Sequence, residues 1–314
     1  MANVKTMKLQ NYVLPMETYA AWRRDSKVRA LSSSGGMATA ISEAWIKKGG
    51  IVYGAAFVRP FNFLHIRCTT KEKLERLRGS KYVQSSLVGI HEQIEMDLRN
   101  GFEVLFIGTP CQVARIRNRF REHAELYTID IICHGIPKVE TFKASIPPSI
   151  LQMDYDNVEF RENCDYKIAF KRAGKTIWSS PLTHNLYMKG FFKALFNREC
   201  CYKCMFAKPE RISDITLGDF WGLNMASVNT TIDKGISLVL VNSDKGRKLL
   251  EMVKDDIEMI ARPLEEAIVG NAPLRNPMPK TWRYHIYKKL YPKVGFRWAA
   301  IAAMPDVVLK NMFK

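Results

Sequence analysis

Three cysteines lie within five residues of one another in the segment RECCYKCMFAKPERISDITLGDFWG, which spans residues 198–222. Cys201 and Cys204 form a C-x-x-C pair, a spacing that lets both sulfurs point at one metal ion or cluster from a single turn. Dithiol redox pairs use the same spacing, but they lie at a strand-to-helix junction of thioredoxin type. Here a strand-like run follows the pair, so the sequence favours metal binding.

A four-thiolate site needs two more cysteines. Cys111 in GTPCQ and Cys133 in IICHG are the natural candidates, because each lies in a glycine-flanked turn where backbone can approach a cofactor closely. We expect Cys68 to be a buried free thiol, Cys164 to be incidental, and Cys200 to be a neighbour of the pair rather than a ligand. Zinc and a cubane iron–sulfur cluster both accept four thiolates, so the number of sulfurs leaves the metal open.

The elements that carry these cysteines alternate between strands and helices. Short apolar runs predict buried strands at 51–58, 103–108 and 126–132, and helical periodicity covers 36–49, 71–79, 88–101 and 112–120. Ser32 to Ser34 are N-cap candidates for the first of these helices. Such alternation predicts an α/β fold with parallel strands, whose functional residues gather at the carboxyl ends of the strands. Cys111 and Cys133 both follow such ends.

From about Asn157 the pattern changes to strands with fewer helices, which predicts a mixed α+β second half packed closely against the first. The run LYMKGFFKALF is the clear helical exception. Residues 271–314 begin with a proline-rich stretch and then become basic and aromatic. We expect this tail to contain an ordinary packed helix interrupted at Pro305, and an amphipathic contact with an anionic membrane is the alternative.

The composition bounds the class of protein. Hydrophobic residues make up 47% and charged residues 25% of the 314, as in ordinary soluble globular proteins. No apolar run resembles a signal peptide or reaches the roughly 18 residues of a membrane span. Seven cysteines are too few for a secreted disulfide scaffold, so we expect a cytoplasmic protein. The formal net charge of +17 would attract polyanions, anionic lipids, phosphorylated cofactors or an acidic protein.

Six motifs occur in the order and approximate spacing of the family of coenzyme F-420 hydrogenase/dehydrogenase beta subunits, which the sequence resembles over about residues 20–280. They are SSSGG (32–36), GSKYVQS (79–85), GTPCQVA (108–114), DIICHGIP (130–137), CYKCMFA (201–207) and SDITLGDFWG (213–222). The resemblance implies a lead-in (1–30), a family N-terminal region (31–107), a family C-terminal region with the cysteines (108–270) and a basic tail (271–314). The two halves would share a cofactor site.

The resemblance also implies FAD beside a 4Fe-4S cluster. The implied cluster ligands are Cys111, Cys133, Cys201 and Cys204. The implied flavin site and its walls comprise Ser34, Gly35, Gly36, Gly79, Ser80, Lys81, Tyr82, Gln84, Thr109, Pro110, Asp219 and Trp221. The serine–glycine turn can present backbone N–H groups to a pyrophosphate, although an ordinary N-cap is the simpler role. Lys81 can supply charge or be a solvated surface lysine, and Tyr82 can stack on a ring or simply fill the core. We expect His134 to be structural.

The resemblance implies an oxidoreductase that passes electrons between a ferredoxin-like donor and a small organic acceptor. That acceptor is either the deazaflavin coenzyme F-420 or a metabolite of a polysaccharide pathway. Many relatives begin with a ferredoxin-like domain that this sequence lacks, so we expect a separate, acidic donor protein. The loop RENCDYK also departs from the Gly-Trp pair common in relatives, which leaves the substrate open.

A non-enzymatic, zinc-stabilised module that binds nucleic acid through its positive charge is the alternative. It predicts a colourless protein whose nucleic-acid binding weakens with salt. The flavin and iron–sulfur hypothesis instead predicts a brown anaerobic preparation with flavin absorbance and no nucleic-acid partner.

Overall fold

The computed structural model describes residues 12–306 apart from 122, 163, 164, 232 and 234. Cys164, the first residues of the lead-in and the last eight of the tail therefore lie outside the described residues. The strands are β1 (Glu17–Arg23), β2 (Ile51–Val58), β3 (Asn62–Cys68), β4 (Val104–Gly108), β5 (Leu126–Ile131), β6 (Asn157–Glu162), β7 (Asp165–Arg172), β8 (Lys175–Pro181), β9 (Ile215–Asp219), β10 (Ser237–Val241) and β11 (Ile257–Ala261). The helices are α1 (Ser26–Ala30), α2 (Met37–Lys47), α3 (Lys71–Glu75), α4 (Ile90–Arg99), α5 (Pro110–Arg119), α6 (Val139–Ser145), α7 (Pro148–Leu151), α8 (Leu186–Phe192), α9 (Asp244–Glu251), α10 (Leu264–Gly270) and α11 (Trp282–Ala303).

A mixed sheet of eight strands, in the order β11-β1-β10-β9-β5-β4-β2-β3, forms the centre of the fold. The central strands β2, β4, β5 and β9 are parallel, and the strands at both ends pair antiparallel. Strands β2 and β3 must be antiparallel because only a short turn joins them. The predicted α/β class is confirmed. The predicted parallel pairing is found for β2 with β4, β4 with β5 and β5 with β9, whose connections contain helices.

The first strand, β1, lies between β10 and β11 near one end of this sheet. Its partners come from the last third of the chain: Tyr19 is opposite Val239 on one side and Ala261 on the other. The sequence pattern did not predict β1, which falls in the segment treated as a lead-in. The sheet is consequently built from both ends of the chain.

A second, three-stranded antiparallel sheet, β6-β7-β8, makes up part of the other half. It packs with α6, α8, α11 and the β2–β3 hairpin around a core rich in aromatic rings. Phe142 is at the centre of this core, with its ring centroid 4.9 Å from those of both Phe160 and Tyr187. The large sheet and α2 enclose a separate core around the fully buried Trp45. The mixed second half is thus confirmed.

Helix ends differ from the sequence predictions at three places. The N-cap of α2 is Gly36, in a left-handed conformation with φ of 86°, rather than any of the serines before it. Helix α3 ends at Glu75 instead of near Gly79. The tail helix α11 ends at Ala303, before Pro305, and its real interruption is a kink at Gly295. Among the described residues, none of the helices combines the length and the apolar character needed to cross a bilayer.

Candidate functional site at the carboxyl edge of the large sheet

Cys111 lies in the first turn of α5, directly after the carboxyl end of β4. Thr109 is the N-cap and Pro110 the first helical residue, and Thr109 and Gln112 form a capping box. The Thr109 backbone N–H donates to Gln112 Oε1 at 3.0 Å. The Thr109 hydroxyl lies 3.2 Å from Cys111 Sγ. This local sequence therefore fixes an exposed thiol at the sheet edge.

The Gln112 amide also joins Cys111 to the motif that begins at Gly79. Gln112 Nε2 donates to both oxygens of Ser85 at 3.1 Å, and Ser85 Oγ is 3.2 Å from His65 Nδ1. The buried His65 ring stacks on Phe106 with centroids 5.1 Å apart. Burial lowers the pKa of His65 to about 4, so its ring is neutral at pH 7. Ser85 and Gln112 lie within two of the six motifs, but neither they nor His65 were among the predicted site residues, because only the fold links them.

Cys133 follows the carboxyl end of β5, which is the parallel neighbour of β4. Two residues later Gly135 adopts φ of +98°, and a Cβ there would lie 2.3 Å from Asn197 Nδ2 and 3.3 Å from the Cβ of Cys201. Only glycine allows this approach. The Asn197 side chain donates to the His134 carbonyl at 3.1 Å. These contacts place the segment after β5 against the C-x-x-C segment.

Cys201 lies in a 3-10 helix, Glu199–Lys203, and Cys204 follows it. The loop beyond Cys204 is held by the buried Arg211, which donates to the carbonyl oxygens of Phe206 at 3.1 Å and of Lys208 at 3.2 Å. The other end of the same guanidinium donates to the buried Asp130 carboxylate at 3.0 Å, near the end of β5. Arg211 thereby ties the C-x-x-C loop to the strand that leads to Cys133.

Three of these thiols, those of Cys133, Cys201 and Cys204, are partly buried. Burial raises the pKa of Cys133, of Cys201 to about 12, and of Cys204. Cys111 reinforces the increase at each of these three cysteines, so the four sulfurs lie within electrostatic reach of one another. Backbone N–H groups oppose the increase by hydrogen bonding to sulfur: that of Gly135 to Cys133, of Ile136 to Cys201, and of Phe206 and Ala207 to Cys204.

The sulfurs do not form a single-ion site. A tetrahedral zinc with bonds of about 2.3 Å needs sulfurs about 3.8 Å apart. Within the described part of the chain, no three Cys, His, Asp or Glu side chains are arranged so that they could hold one metal ion. The exposed Cys200 also influences Cys201 and Cys204 electrostatically, and it remains beside them at the surface. Cys68 is fully buried at the end of β3.

The serine–glycine turn before α2 packs against the large sheet. Ser34 Oγ donates to the Ile236 carbonyl at 3.0 Å. Gly35 is so close to β1 that a Cβ would lie 2.3 Å from the Ala21 carbonyl oxygen. The Ser80 N–H donates to Ser33 Oγ at 2.7 Å, which brings the first two motifs together. Ser33 was named as an N-cap candidate but was not among the predicted cofactor-binding residues.

Lys81 is not a solvated surface lysine. Its ammonium donates to three successive carbonyl oxygens after α3, those of Arg76, Leu77 and Arg78, at 2.8–3.2 Å. Burial lowers the pKa of Lys81 to about 7. The side chain therefore caps the end of α3 and fixes the turn at 79–82. Further along, the Gln84 N–H donates to the Pro137 carbonyl at 3.0 Å, next to the Cys133 segment.

Asp219, the last residue of β9, connects the two sheets. Its Oδ2 accepts from Arg161 of β6 at 2.8 Å and from the Tyr166 hydroxyl of β7 at 3.3 Å. The Tyr82 ring lies 5.9 Å from that of Tyr166, within the same group. Trp221, two residues beyond Asp219, is 50% exposed. Arg161 and Tyr166 face each other across β6 and β7, but nothing local in the sequence links them to Asp219.

Comparisons with known proteins agree with this architecture. Two family models for the coenzyme F420 hydrogenase/dehydrogenase beta subunit match the chain, the N-terminal model over residues 18–91 and the C-terminal model over residues 102–267. The F subunit of the F(420)H(2) dehydrogenase of Methanosarcina mazei is 26% identical over 251 residues, which cover 76% of this chain and 64% of that protein. The chain thus spans less than two thirds of that relative's length.

A chain of the F420-reducing [NiFe] hydrogenase complex from Methanosarcina barkeri has a similar fold. The TM-score is 0.55 at 17% identity, over 84% of this chain and 92% of that one. At this identity the similarity concerns the fold.

Proposed function

Because the chain belongs to the family of coenzyme F420 hydrogenase/dehydrogenase beta subunits, which are oxidoreductases, we propose that it transfers electrons between a ferredoxin-like protein and a small organic acceptor. The proposed cofactors are a 4Fe-4S cluster and FAD. The acceptor is either coenzyme F420 or a metabolite of a polysaccharide pathway. The observation that carries the proposal is the convergence of Cys111, Cys133, Cys201 and Cys204 at one edge of the sheet.

The donor set fits an iron–sulfur cluster. Four thiols from three separate segments are neighbours, and backbone N–H groups point at the sulfurs of Cys133, Cys201 and Cys204. Cubane clusters take four thiolates, each on a different iron, and hydrogen bonds to sulfur adjust their potential. Such ligands do not have to converge on one point, as the ligands of a single zinc ion do. Nothing in the site or the comparisons supports the alternative of a zinc module that binds nucleic acid.

The residues around the turn at 79–82 fit a flavin. A Cβ on Gly79 would meet no atom within 4 Å, so the backbone there borders open space. Ser33 and Lys81 hold this turn in place from opposite sides, through the Ser80 N–H and the end of α3. Tyr82 supplies ring surface beside it. When bound, the flavin exchanges one or two electrons, so it can join one-electron cluster chemistry to a two-electron acceptor.

Asp219 and its partner Arg161 supply the charged side chains of this region. The Arg161 guanidinium lies 4.4 Å from the centre of the Tyr166 ring and is paired with Asp219. We propose that Arg161 offers positive charge to an anionic part of the flavin or acceptor, and that Asp219 orients the guanidinium. Lys81, whose ammonium is engaged by backbone carbonyls, positions the turn instead.

The donor protein is proposed to be separate and acidic, since the chain carries a formal net charge of +17. We also propose that the protein works in the cytoplasm. The six described cysteines are free thiols, and clustered free cysteines are typical of reducing compartments.

The test is anaerobic purification and reconstitution, followed by an absorbance spectrum and measurements of iron, sulfide and flavin. We expect roughly four irons and four sulfides per chain, as in a cubane cluster, together with one FAD. Cys204→Ser should lower the iron content, and Cys200→Ser, its neighbour at the surface, should leave it unchanged. A reconstituted protein without iron and flavin would overturn the proposal. A colourless, zinc-containing preparation that binds nucleic acid would support the alternative.

A further inference from the structure

The tail helix α11 lies outside both family models, whose matches end at residues 91 and 267, and it is strongly basic. It contains five lysines and arginines and no aspartate or glutamate. Its apolar side packs on α6 and α8 through buried residues that include Tyr287 and Phe296. The opposite side faces solvent. This chain therefore carries a positively charged surface element beyond the residues that the family models match.

Helix α11 begins beside the cysteines. The Glu199 carboxylate, next to Cys200, accepts from Lys280 at 2.6 Å and from Lys288 at 2.8 Å, and it also accepts from the Tyr284 hydroxyl. The rings of Tyr202 and Tyr284 lie 4.9 Å apart. The C-x-x-C segment and α11 are thus joined by both ionic and aromatic contacts.

The outward face of α11 combines exposed lysines with exposed tryptophan. At 3.6 residues per turn, Trp282, Lys289 and Lys293 project from one side of the helix. Trp282 and Trp298 are 53% and 63% exposed. Within the described residues, no carboxylate lies within ion-pair distance of Lys289 or Lys293. Exposed Trp on a charged face is characteristic of the anchors of protein interfaces.

Positive charge also surrounds the cysteines away from α11. Lys203 lies between Cys201 and Cys204 and is exposed. Arg115 is exposed one helical turn after Cys111. The exposed Met205 adds apolar surface at the same place. We call Lys203, Arg115 and Met205, together with the cysteines beside them, the basic cysteine face, which α11 adjoins through the contacts of Tyr284 and Lys288 with Glu199.

We propose that the basic cysteine face, extended by α11, is the docking surface for an acidic electron-transfer protein. The inference rests on the proposed function, because it assumes that the partner delivers or collects electrons at the cysteines. A partner bound there lies over the exposed Cys111. Opposite charge accelerates its approach, and Trp282 and Trp298 provide apolar anchors after contact.

The test measures binding of a two-cluster bacterial ferredoxin of net negative charge to the full-length protein. Lys289→Glu/Lys293→Glu should weaken binding at least about tenfold at low salt. The control Lys47→Glu/Lys248→Glu changes the net charge equally on exposed positions of α2 and α9, which pack on the other core. It should change the dissociation constant less than about twofold, and the difference between the two variants should disappear in high salt. Trp282→Ala should weaken binding at all salt concentrations.

Equal effects of the α11 and control variants would overturn the proposal. The proposal would also be overturned if the wild-type protein did not bind ferredoxin but floated with phosphatidylglycerol vesicles. Loss of this flotation in Lys289→Glu/Lys293→Glu would identify a membrane surface. Lys289→Gln/Lys293→Gln removes the two positive charges without reversing them, and we expect an intermediate loss of binding. This variant controls for misfolding of Lys289→Glu/Lys293→Glu. Iron and flavin contents measured on the same samples separate the two ideas. Wild-type protein that lacks both iron and flavin refutes the proposed function. Protein that contains both, but whose ferredoxin binding is weakened equally by the α11 and control variants, refutes only the docking surface.

Discussion

Arg211→Met removes the guanidinium that joins the loop after Cys204 to the end of β5. Arg211 and Asp130 are 2% and 0% exposed. Their ion pair is therefore shielded from water and salt, unlike the many ion pairs on the surface. The substitution keeps most of the volume of the side chain, so its main effect is to leave a buried carboxylate without its counter-charge.

The magnitude follows from this burial. Breaking a buried pair by removing one partner costs about 3–5 kcal/mol. Asp130 Oδ1 has no hydrogen-bond partner among the described residues, so nothing there compensates for the lost charge. Asp130→Asn/Arg211→Met should recover about 2 kcal/mol or more, because a buried amide costs less than a buried charge. The exposed pair of Arg24 and Glu258 provides a control, and Arg24→Met should cost less than about 1 kcal/mol.

The assay is urea unfolding followed by tryptophan fluorescence, with unchanged slopes required for comparison. Iron content after anaerobic reconstitution is measured in parallel, and we expect it to fall because the Cys204 loop loses its attachment. The reasoning would be refuted by a loss of less than about 1 kcal/mol in Arg211→Met, or by a double variant as unstable as the single one.

Three further predictions concern other parts of the chain. Tyr53→Phe removes a hydroxyl that donates to the buried Asp97 carboxylate at 2.5 Å, and it should cost about 1.5–3 kcal/mol in urea unfolding; an unchanged midpoint would contradict this. Lysine and tyrosine partners lower the pKa of Glu199 to about 2. In thermal unfolding the wild-type protein should therefore be more stable than Glu199→Gln, fully so above about pH 4.5 and no longer so towards pH 2. A stability difference that grew in acid would contradict this sign. Gly35→Ala would place Cβ 2.3 Å from the Ala21 carbonyl oxygen, and it should destabilise the protein by at least about 2 kcal/mol even without flavin; normal unfolding would show that the turn can shift.

The parts of the fold that sequence patterns predicted are those fixed by local interactions. The run at 51–58 is a strand with those bounds, and α4 and α5 follow their amphipathic periodicity. Cys111 and Cys133 follow adjacent parallel strands, as their position after apolar runs predicted. The strand predictions held because a short strand that is buried on both faces has a nearly continuous run of apolar residues.

The parts that could not be predicted depend on contacts distant in sequence. Asp219, Arg161 and Tyr166 meet across two sheets, and no spacing rule relates them. The role of Lys81 was missed for a similar reason, because a lysine beside glycine and serine suggests a solvated loop. Only the fold shows that its ammonium closes the end of a helix. The glycine-flanked turns made Cys111 and Cys133 candidates for the site of the C-x-x-C pair, but their role as cluster ligands came from the family resemblance.

The position of β1 also has a consequence for how the protein is made. Both of its hydrogen-bonding partners come late in the chain, and 238 residues separate Arg23 from Ala261. At translation speeds of about 5–20 residues per second, this strand waits roughly 12–48 s on the ribosome before its neighbours emerge. During that interval its apolar residues, including Ala20 and Trp22, are unprotected. In a nascent chain of this design, β1 can complete its pairing only after β10 and β11 have been made, so we expect it to benefit from a chaperone until then.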